Sequence, residues 1–460
     1  MTARRSAEMR GSPSLAAALV AVGTGLLAGH LASAESLAVA GFGKIDWSLP
    51  SSPPTRVVLL LRGDGTKAVG DLLATPSTLV VQLDAKALLR KAPLSGCAYP
   101  AGDLESLTEL LEKRLAFPRY IAPVLAGTDI GAALAFATAA QAPVGTFPAL
   151  LTVDFLPELP AVTAFCPGRG LHSTRAQGTT HLSPSDNFAP LWAAVTQAGS
   201  VPAETMKFLA AMPAGRVKPR PSVETTDFAG RLRDAWTGLE AELTQEATTQ
   251  ASEEAKEFGG LPVLALPAAG TPKGTLAIVV SGDGGWQGVD RKVMRELTVR
   301  GVAVAGLDSQ RYFWNARSPH EVATDLVRIV RHYQSEWKCQ RVVAVGYSAG
   351  ADALAIVADE LAGELGKSFR LLALMSPSRS TRLALFTDLE RTPQAPERLV
   401  LPALRSAHSL PALCLYGESD RESPCAQLPP PALAIRLPGA HAFGGDAAGI
   451  AGRIVAAAQP

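Results

Sequence analysis

The sequence predicts an α/β fold with a mostly parallel sheet, present twice in one chain. Three observations carry that expectation. Through the second half, apolar runs alternate with helically spaced segments, the order that builds a parallel sheet covered by helices on both faces. The runs are nearly continuous in apolar character, as strands buried on both faces require. The first half also echoes the second at two places, residues 57–65 against 276–284 and residues 127–135 against 346–354.

In chain order, Arg4, Arg5 and Arg10 precede an apolar stretch over 15–31 that closes on Ala32-Ser33-Ala34. A basic segment, an apolar segment and a small-x-small site form a secretory signal peptide, here residues 1–34. No Cys follows the apolar stretch and no later segment is apolar enough to span a bilayer, so an exported, soluble mature protein is expected. Residues 35–238 read as a degenerate, catalytically inactive α/β domain. Its first strand, 57–61, runs into Arg62-Gly63-Asp64-Gly65, and in its second echo Asp129 occupies the nucleophile's place. His172 and His181 sit in a Gly/Ser/Thr/Pro-rich stretch that reads as a loop. Residues 239–260, rich in Glu, Ala, Gln and Thr and broken at Gly259-Gly260, read as a solvated helical linker.

Residues 261–460 read as the catalytic domain. Strands are expected at 276–280, 302–307, 342–345, 371–375, 412–416 and 432–437, with helices over 289–300, 319–337 and 450–458. The 460 residues carry a formal net charge of +1, which gives no electrostatic case for nucleic acid as a partner. Five cysteines suit an oxidising compartment. Cys97 and Cys166 lie in the first half, Cys414 and Cys425 bracket a loop of the second, and Cys339 is left over. Sequence leaves the pairing open, although a Cys414–Cys425 bridge would tie that loop to its strand. No Cys/His spacing suggests a metal, and no cofactor is expected.

Gly346-Tyr347-Ser348-Ala349-Gly350 stands between the strand at 342–345 and an Ala-rich helix. In that context a G-x-S-x-G string is a nucleophile elbow, holding a serine hydroxyl above the sheet of an α/β-hydrolase. The triad of such folds runs Ser, acid, His along the chain. His441 follows a strand in a loop of small residues and is the base candidate. Asp420 ends a strand–Gly-x-x-Asp turn and is the acid candidate, with Glu418 two residues earlier as its competitor. For the oxyanion hole, one N–H is expected from Ala349 and the other from Gly284 or Gly285, in the Gly-rich loop after the strand at 276–280. Asp283 and Trp286 of that loop, Asp308, and Tyr312 and Trp314 of the next strand-end loop are candidate substrate-binding residues at the carboxyl edge of the sheet. Each has a plain structural alternative in loop bonding or core packing. For Asp352, four residues past Ser348, the structural role is expected.

These residues resemble a known family. Ser281-Gly282-Asp283-Gly284-Gly285-Trp286, Arg311-Tyr312-Phe313-Trp314, Gly346-Tyr347-Ser348-Ala349-Gly350-Ala351-Asp352 and Pro438-Gly439-Ala440-His441 together resemble the bacterial VirJ/AcvB virulence-protein family. Its longer members also carry an N-terminal domain. The resemblance implies export to the periplasm and hydrolysis of aminoacyl-phosphatidylglycerol, above all lysyl-phosphatidylglycerol, with links to virulence and acid tolerance. Its substrate would be a membrane phospholipid at the periplasmic face, and the N-terminal domain would be the place for periplasmic protein partners. Asp283, Asp308 and Glu418 would then be available to face a cationic aminoacyl group. Ala442 follows His441 where a second His is expected in many relatives. Two other readings are a serine esterase on soluble esters and a non-catalytic, secretion-associated adaptor that keeps the elbow as scaffold.

Overall fold

The computed structural model describes residues 34–459 except 40–41, 64–67, 91–96, 161–163, 167, 169, 197–201, 214–215, 220–226, 287, 386–394, 408 and 422. The leader at 1–33 and the echo positions Asp64 and Gly65 therefore lie outside the described residues. Among the described residues no helix is long and apolar enough to cross a membrane.

The first half supplies β1 (Ala34–Val39), β2 (Gly43–Ser48), β3 (Arg56–Arg62), β4 (Thr78–Asp84), β5 (Val124–Thr128), β6 (Ala149–Val153), β7 (Glu158–Pro160), β8 (His172–Ala176), β9 (Thr179–Ser183), β10 (Leu191–Val195) and β11 (Val217–Pro219). Its helices are α1 (Ala68–Leu73), α2 (Ala85–Arg90), α3 (Pro100–Arg114), α4 (Ile130–Gln141), α5 (Ala203–Ala210) and α6 (Phe228–Phe258). The second half supplies β12 (Val263–Leu266), β13 (Thr275–Val280), β14 (Ala303–Leu307), β15 (Arg341–Tyr347), β16 (Phe369–Met375), the short pair β17 (Ser380–Thr381) and β18 (Arg398–Leu399), β19 (Ala412–Gly417) and β20 (Leu433–Leu437). With them run α7 (Val289–Val299), α8 (Ser309–Tyr312), α9 (Pro319–Glu336), α10 (Ala349–Leu365), α11 (Val400–Ser406) and α12 (Ala447–Ala457).

The two large sheets have corresponding strand orders. One runs β1-β2-β4-β3-β5-β6-β10-β11 and the other β12-β14-β13-β15-β16-β19-β20. In each, an antiparallel strand, β2 or β12, borders strands that are otherwise parallel. The order reverses around β3 in one sheet and β13 in the other, where crossovers to both sides must meet. Both expected echoes are therefore structural. At the second, Asp129 has φ 50° and ψ −122°, against 50° and −121° at Ser348. The supporting bonds correspond too. The Asp129 N–H donates to the Val153 carbonyl at 3.1 Å and the Ser348 N–H to the Met375 carbonyl at 2.9 Å.

Burial follows the apolar runs. β13 is buried at every residue, and helices α7, α9 and α10 turn apolar faces to the sheet. A capping box starts α9: Ser318 Oγ accepts from the Glu321 N–H and Glu321 accepts from the Ser318 N–H.

Two expectations give way. The solvated linker expected at 239–260 gives way at its start, because the helix begins at Phe228 and its first turns bury Leu232, Trp236, Leu239 and Leu243 against the first sheet. The Glu/Gln-rich composition of the segment hides the apolar stripe at i, i+4, i+7 and i+11. The stretch holding His172 and His181 is not a loop either. It forms β8 and β9 of a small antiparallel sheet with β7, whose outward face is polar and so looks loop-like in composition.

Both disulfides are present, Cys97–Cys166 with Cα atoms 5.0 Å apart and Cys414–Cys425 with Cα atoms 5.5 Å apart. Cys339 is buried and unbridged.

Candidate active site

Ser348 sits between β15 and α10 in a backbone conformation that L-residues avoid. Tight packing beneath it maintains that strain. A Cβ on Gly346 would lie 2.6 Å from the Ala351 backbone, and one on Gly350 would lie 2.2 Å from the Val280 carbonyl oxygen. Only glycine at both places lets the helix start so close to the central strand. Gly131 meets the Leu61 carbonyl in the same way beside Asp129.

His441 lies in the loop after β20. Its Nδ1 is 3.1 Å from Asp420 Oδ2, and the Asp420 side chain is only 8% exposed. A carboxylate there fixes the imidazole tautomer and would stabilise the imidazolium, leaving Nε2 as the nitrogen that can take a serine proton. Ser376 Oγ donates to the His441 carbonyl at 2.9 Å. The ring of Tyr347, the residue before the nucleophile, stands 5.4 Å from the imidazole. Burial, with nearby carboxylates second, raises the Tyr347 phenol well above its ordinary range, so it stays neutral beside the histidine. The Cys414–Cys425 bridge closes the segment that carries Asp420.

Both glycine amides expected as the second oxyanion donor bond within their own loop. The Gly284 N–H is bonded to Asp283 Oδ1 at 3.1 Å. The Gly285 N–H is bonded to the Gly282 carbonyl at 3.0 Å, closing a turn in which Gly285 has φ 69°. Both bonds lie within the loop, whose Asp283 lines the cavity beside Ser348 and Ala349. The turn itself is held from below. Asp290 is fully buried and accepts from the Gly282 N–H at 3.2 Å and the Arg291 N–H at 2.7 Å. Burial raises its carboxyl to about 7, against the pull of those bonds. Sequence reasoning passed over Asp290; the available signal was an acid in the first turn of a helix directly after a Gly-rich loop.

The remaining candidates separate clearly. A cavity of about 270 Å³ opens at Ser348 and is lined by Asp283, Phe313, Asp352, Ser378, Leu385 and Glu397 among others. Asp283 is therefore placed as expected. Asp352 also lines it, in addition to its structural bond from the Ser378 N–H at 2.6 Å. Burial chiefly, with Asp283 nearby, raises the Asp352 carboxyl to about 7.

Trp286 does not reach the cavity lining; its ring lies over β14, where a Cβ on Gly306 would meet it at 2.6 Å. Asp308 caps α8 through the Arg311 N–H at 3.2 Å. Glu418 is exposed and lies 4.0 Å from Arg436. Tyr312 is buried and donates to Asp325 Oδ2 at 2.8 Å, and Trp314 is buried against the first half of the chain. Successive residues of a single helical turn point apart, so Phe313 between them is the one that faces the cavity. The Ser/Thr/Arg-rich segment after β16 adds Ser378, Ser380 and Thr381 to the lining, a role with no motif to announce it.

Strand order, strained elbow and ordered Asp–His pair define a domain of the α/β-hydrolase class. Within that class, residues 274–460 match the family described as "Bacterial virulence protein (VirJ)". No curated protein matches the chain. Among solved structures it is similar to the esterase domain of a Rhodothermus marinus protein, with 16% identity over 43% of this chain and 96% of that one and a TM-score of 0.31. It is similar to Est1E from Butyrivibrio proteoclasticus, with 16% identity over 42% and 92% and a TM-score of 0.32. An alpha-beta serine hydrolase homologue from Coxiella burnetii gives 17% identity over 42% and 89% and a TM-score of 0.30. Those scores are low, and the fold assignment rests on the topology and the elbow.

Proposed function

We propose that the second half is a periplasmic serine hydrolase that cleaves the aminoacyl ester of aminoacyl-phosphatidylglycerol, lysyl-phosphatidylglycerol above all. The observation that carries this reading is the cavity at Ser348. It is small and lined by two acids, Asp283 and Asp352, while the Glu397 on its edge is paired with Arg382 of the same lining at 3.6 Å. That lining suits a short cationic acyl group and offers little to a long hydrocarbon chain. The match of residues 274–460 to the VirJ family agrees with the resemblance that suggests this substrate, and two disulfides accord with an oxidising compartment.

In this mechanism Ser348 Oγ attacks the ester carbonyl carbon while His441 Nε2 takes the hydroxyl proton. The Ala349 N–H and an amide of the glycine-rich loop after β13 stabilise the developing alkoxide. Collapse breaks the bond to the glycerol oxygen, which leaves with the proton from His441 as phosphatidylglycerol. Water, deprotonated by the same histidine, then attacks the aminoacyl-serine, releasing the amino acid and restoring Ser348.

The test uses the mature full chain and phosphatidylglycerol vesicles containing lysyl-phosphatidylglycerol. Release of lysine, absent from the Ser348→Ala variant, is the expected result. A wild-type protein that leaves the lipid intact but turns over short p-nitrophenyl esters would reject the lipid substrate in favour of a soluble-ester hydrolase.

A further inference from the structure

We infer that the catalytically silent first half holds one wall of the catalytic cavity in place, and that Trp314 is the positioning residue through which it does so. This inference rests on the proposed hydrolase reading only for its kinetic consequence.

The wall consists of Phe313, at the end of α8, and Leu385, from the segment after β17. Both line the cavity at Ser348. They are tied to each other by the Leu385 N–H donating to the Phe313 carbonyl at 2.5 Å. Neither has the second sheet alone as its support. Leu385 belongs to the apolar core of the first half, and Trp314, next to Phe313, is buried in that same core at 1% exposure.

The fixing of Trp314 is specific. Its indole Nε1–H donates to the Phe117 carbonyl at 2.9 Å. Its ring stands 5.6 Å from that of Tyr120, and Lys113 Nζ lies 4.5 Å above it. Lys113 also donates to the Trp314 carbonyl. On one side, Asn315 Nδ2 donates to the Pro118 carbonyl at 3.1 Å. On the other, Gln310 Nε2 donates to Glu109 Oε1 at 2.7 Å. Every one of these partners lies in α3 or the segment directly after it. An indole with a satisfied N–H and a cation on its face is a geometrically restrictive anchor. An interface serving only to join two domains would not need to run through the two residues that flank a cavity.

The consequence is that loosening the anchor should move Phe313 and Leu385 without touching Ser348, Asp420 or His441. Substrate binding should weaken while the chemical step persists.

The experiment compares the full chain with its Trp314→Ala and Trp314→Phe variants by amide hydrogen exchange and by hydrolysis of p-nitrophenyl acetate and butyrate. Trp314→Ala should speed exchange at residues 383–385 at least tenfold (roughly, for a locally opened segment). It should also raise KM roughly tenfold with kcat within about twofold. Trp314→Phe keeps the ring and should restore most of both.

A folded Trp314→Ala protein with wild-type exchange at 383–385, or with faster exchange and an unchanged KM, overturns the inference. Should the alanine variant fail to fold, Lys113→Met removes one tie of the anchor and must move both readouts in the same direction, or the inference fails. If the wild type hydrolyses no ester, the hydrolase reading fails, while wild-type exchange at 383–385 in Trp314→Ala still rejects the anchor and faster exchange there upholds it.

Discussion

At Ser348, a φ of 50° and two glycines without room for a Cβ hold one hydroxyl at the mouth of a cavity. Replacing the nucleophile by alanine should abolish turnover, and a fluorophosphonate probe should label the wild type and not the variant. Labelling of the variant would show that another residue is the nucleophile. Asp420→Asn should keep the fold and lower kcat by roughly 10³–10⁴, because the carboxamide favours the wrong imidazole tautomer. A loss below tenfold would point to another acid. Asp352 invites a more selective test, since its carboxyl lines the cavity. Asp352→Asn should lower kcat/KM for the lysyl ester about tenfold, the worth of one weakened charge-assisted contact, and leave p-nitrophenyl acetate turnover nearly unchanged. Equal losses on both substrates would make Asp352 a structural residue alone.

At the scale of elements, the site is a meeting of strand ends. β13 brings the glycine loop, β15 the elbow, β19 the acid turn and β20 the histidine loop, all at the carboxyl edge of parallel neighbours. The loop with Asp420 returns to its strand through Cys414–Cys425. A Cys414→Ala/Cys425→Ala double variant should remain folded on the strength of the sheet. It should lose stability by about 2–3 kcal/mol, as for a short closed loop, and lose kcat through a less constrained carboxylate. Unchanged activity and melting in the double variant would show that the bridge has no bearing on the site. These strand-end loops were legible in sequence because each carries a recognisable turn. The cavity lining supplied by Phe313 and by the segment after β16 was not, because Phe313 and Leu385 become neighbours only in the folded chain.

Across the whole molecule, two sheets of corresponding order face opposite fates. Asp129 keeps the elbow's backbone geometry without a nucleophile, and its half supplies contacts instead. Buried carboxyl groups concentrate near the catalytic half and the helix that packs on it. Burial raises Glu109, Asp290 and Asp352 to about 7 and Glu112 to about 9. Each binds its proton more tightly folded than unfolded. Their contribution to stability is therefore fully present below the unfolded carboxyl range near 4 and is lost as pH rises through 7 to 9. The melting temperature should be higher at pH 5.5 than at pH 8.5, by roughly 5–10 °C if several kcal/mol are at stake. An equal or higher value at pH 8.5 would show that these groups are ionised at little cost. The expectation that residues 239–260 form a free linker failed at this scale, since Leu239 and Leu243 find their apolar partners only in the first sheet.

The sequence alone determined the α/β class, the duplication, and the order Ser348, Asp420, His441, because these follow from local periodicity and from turn chemistry read a few residues at a time. The tertiary structure decided that Asp352 and Phe313 line the cavity and that Trp314 turns away into the other half. Those outcomes depend on which side chains of a short helix or turn meet distant partners. Packing between segments well apart in the chain sets them, and no local pattern encodes it.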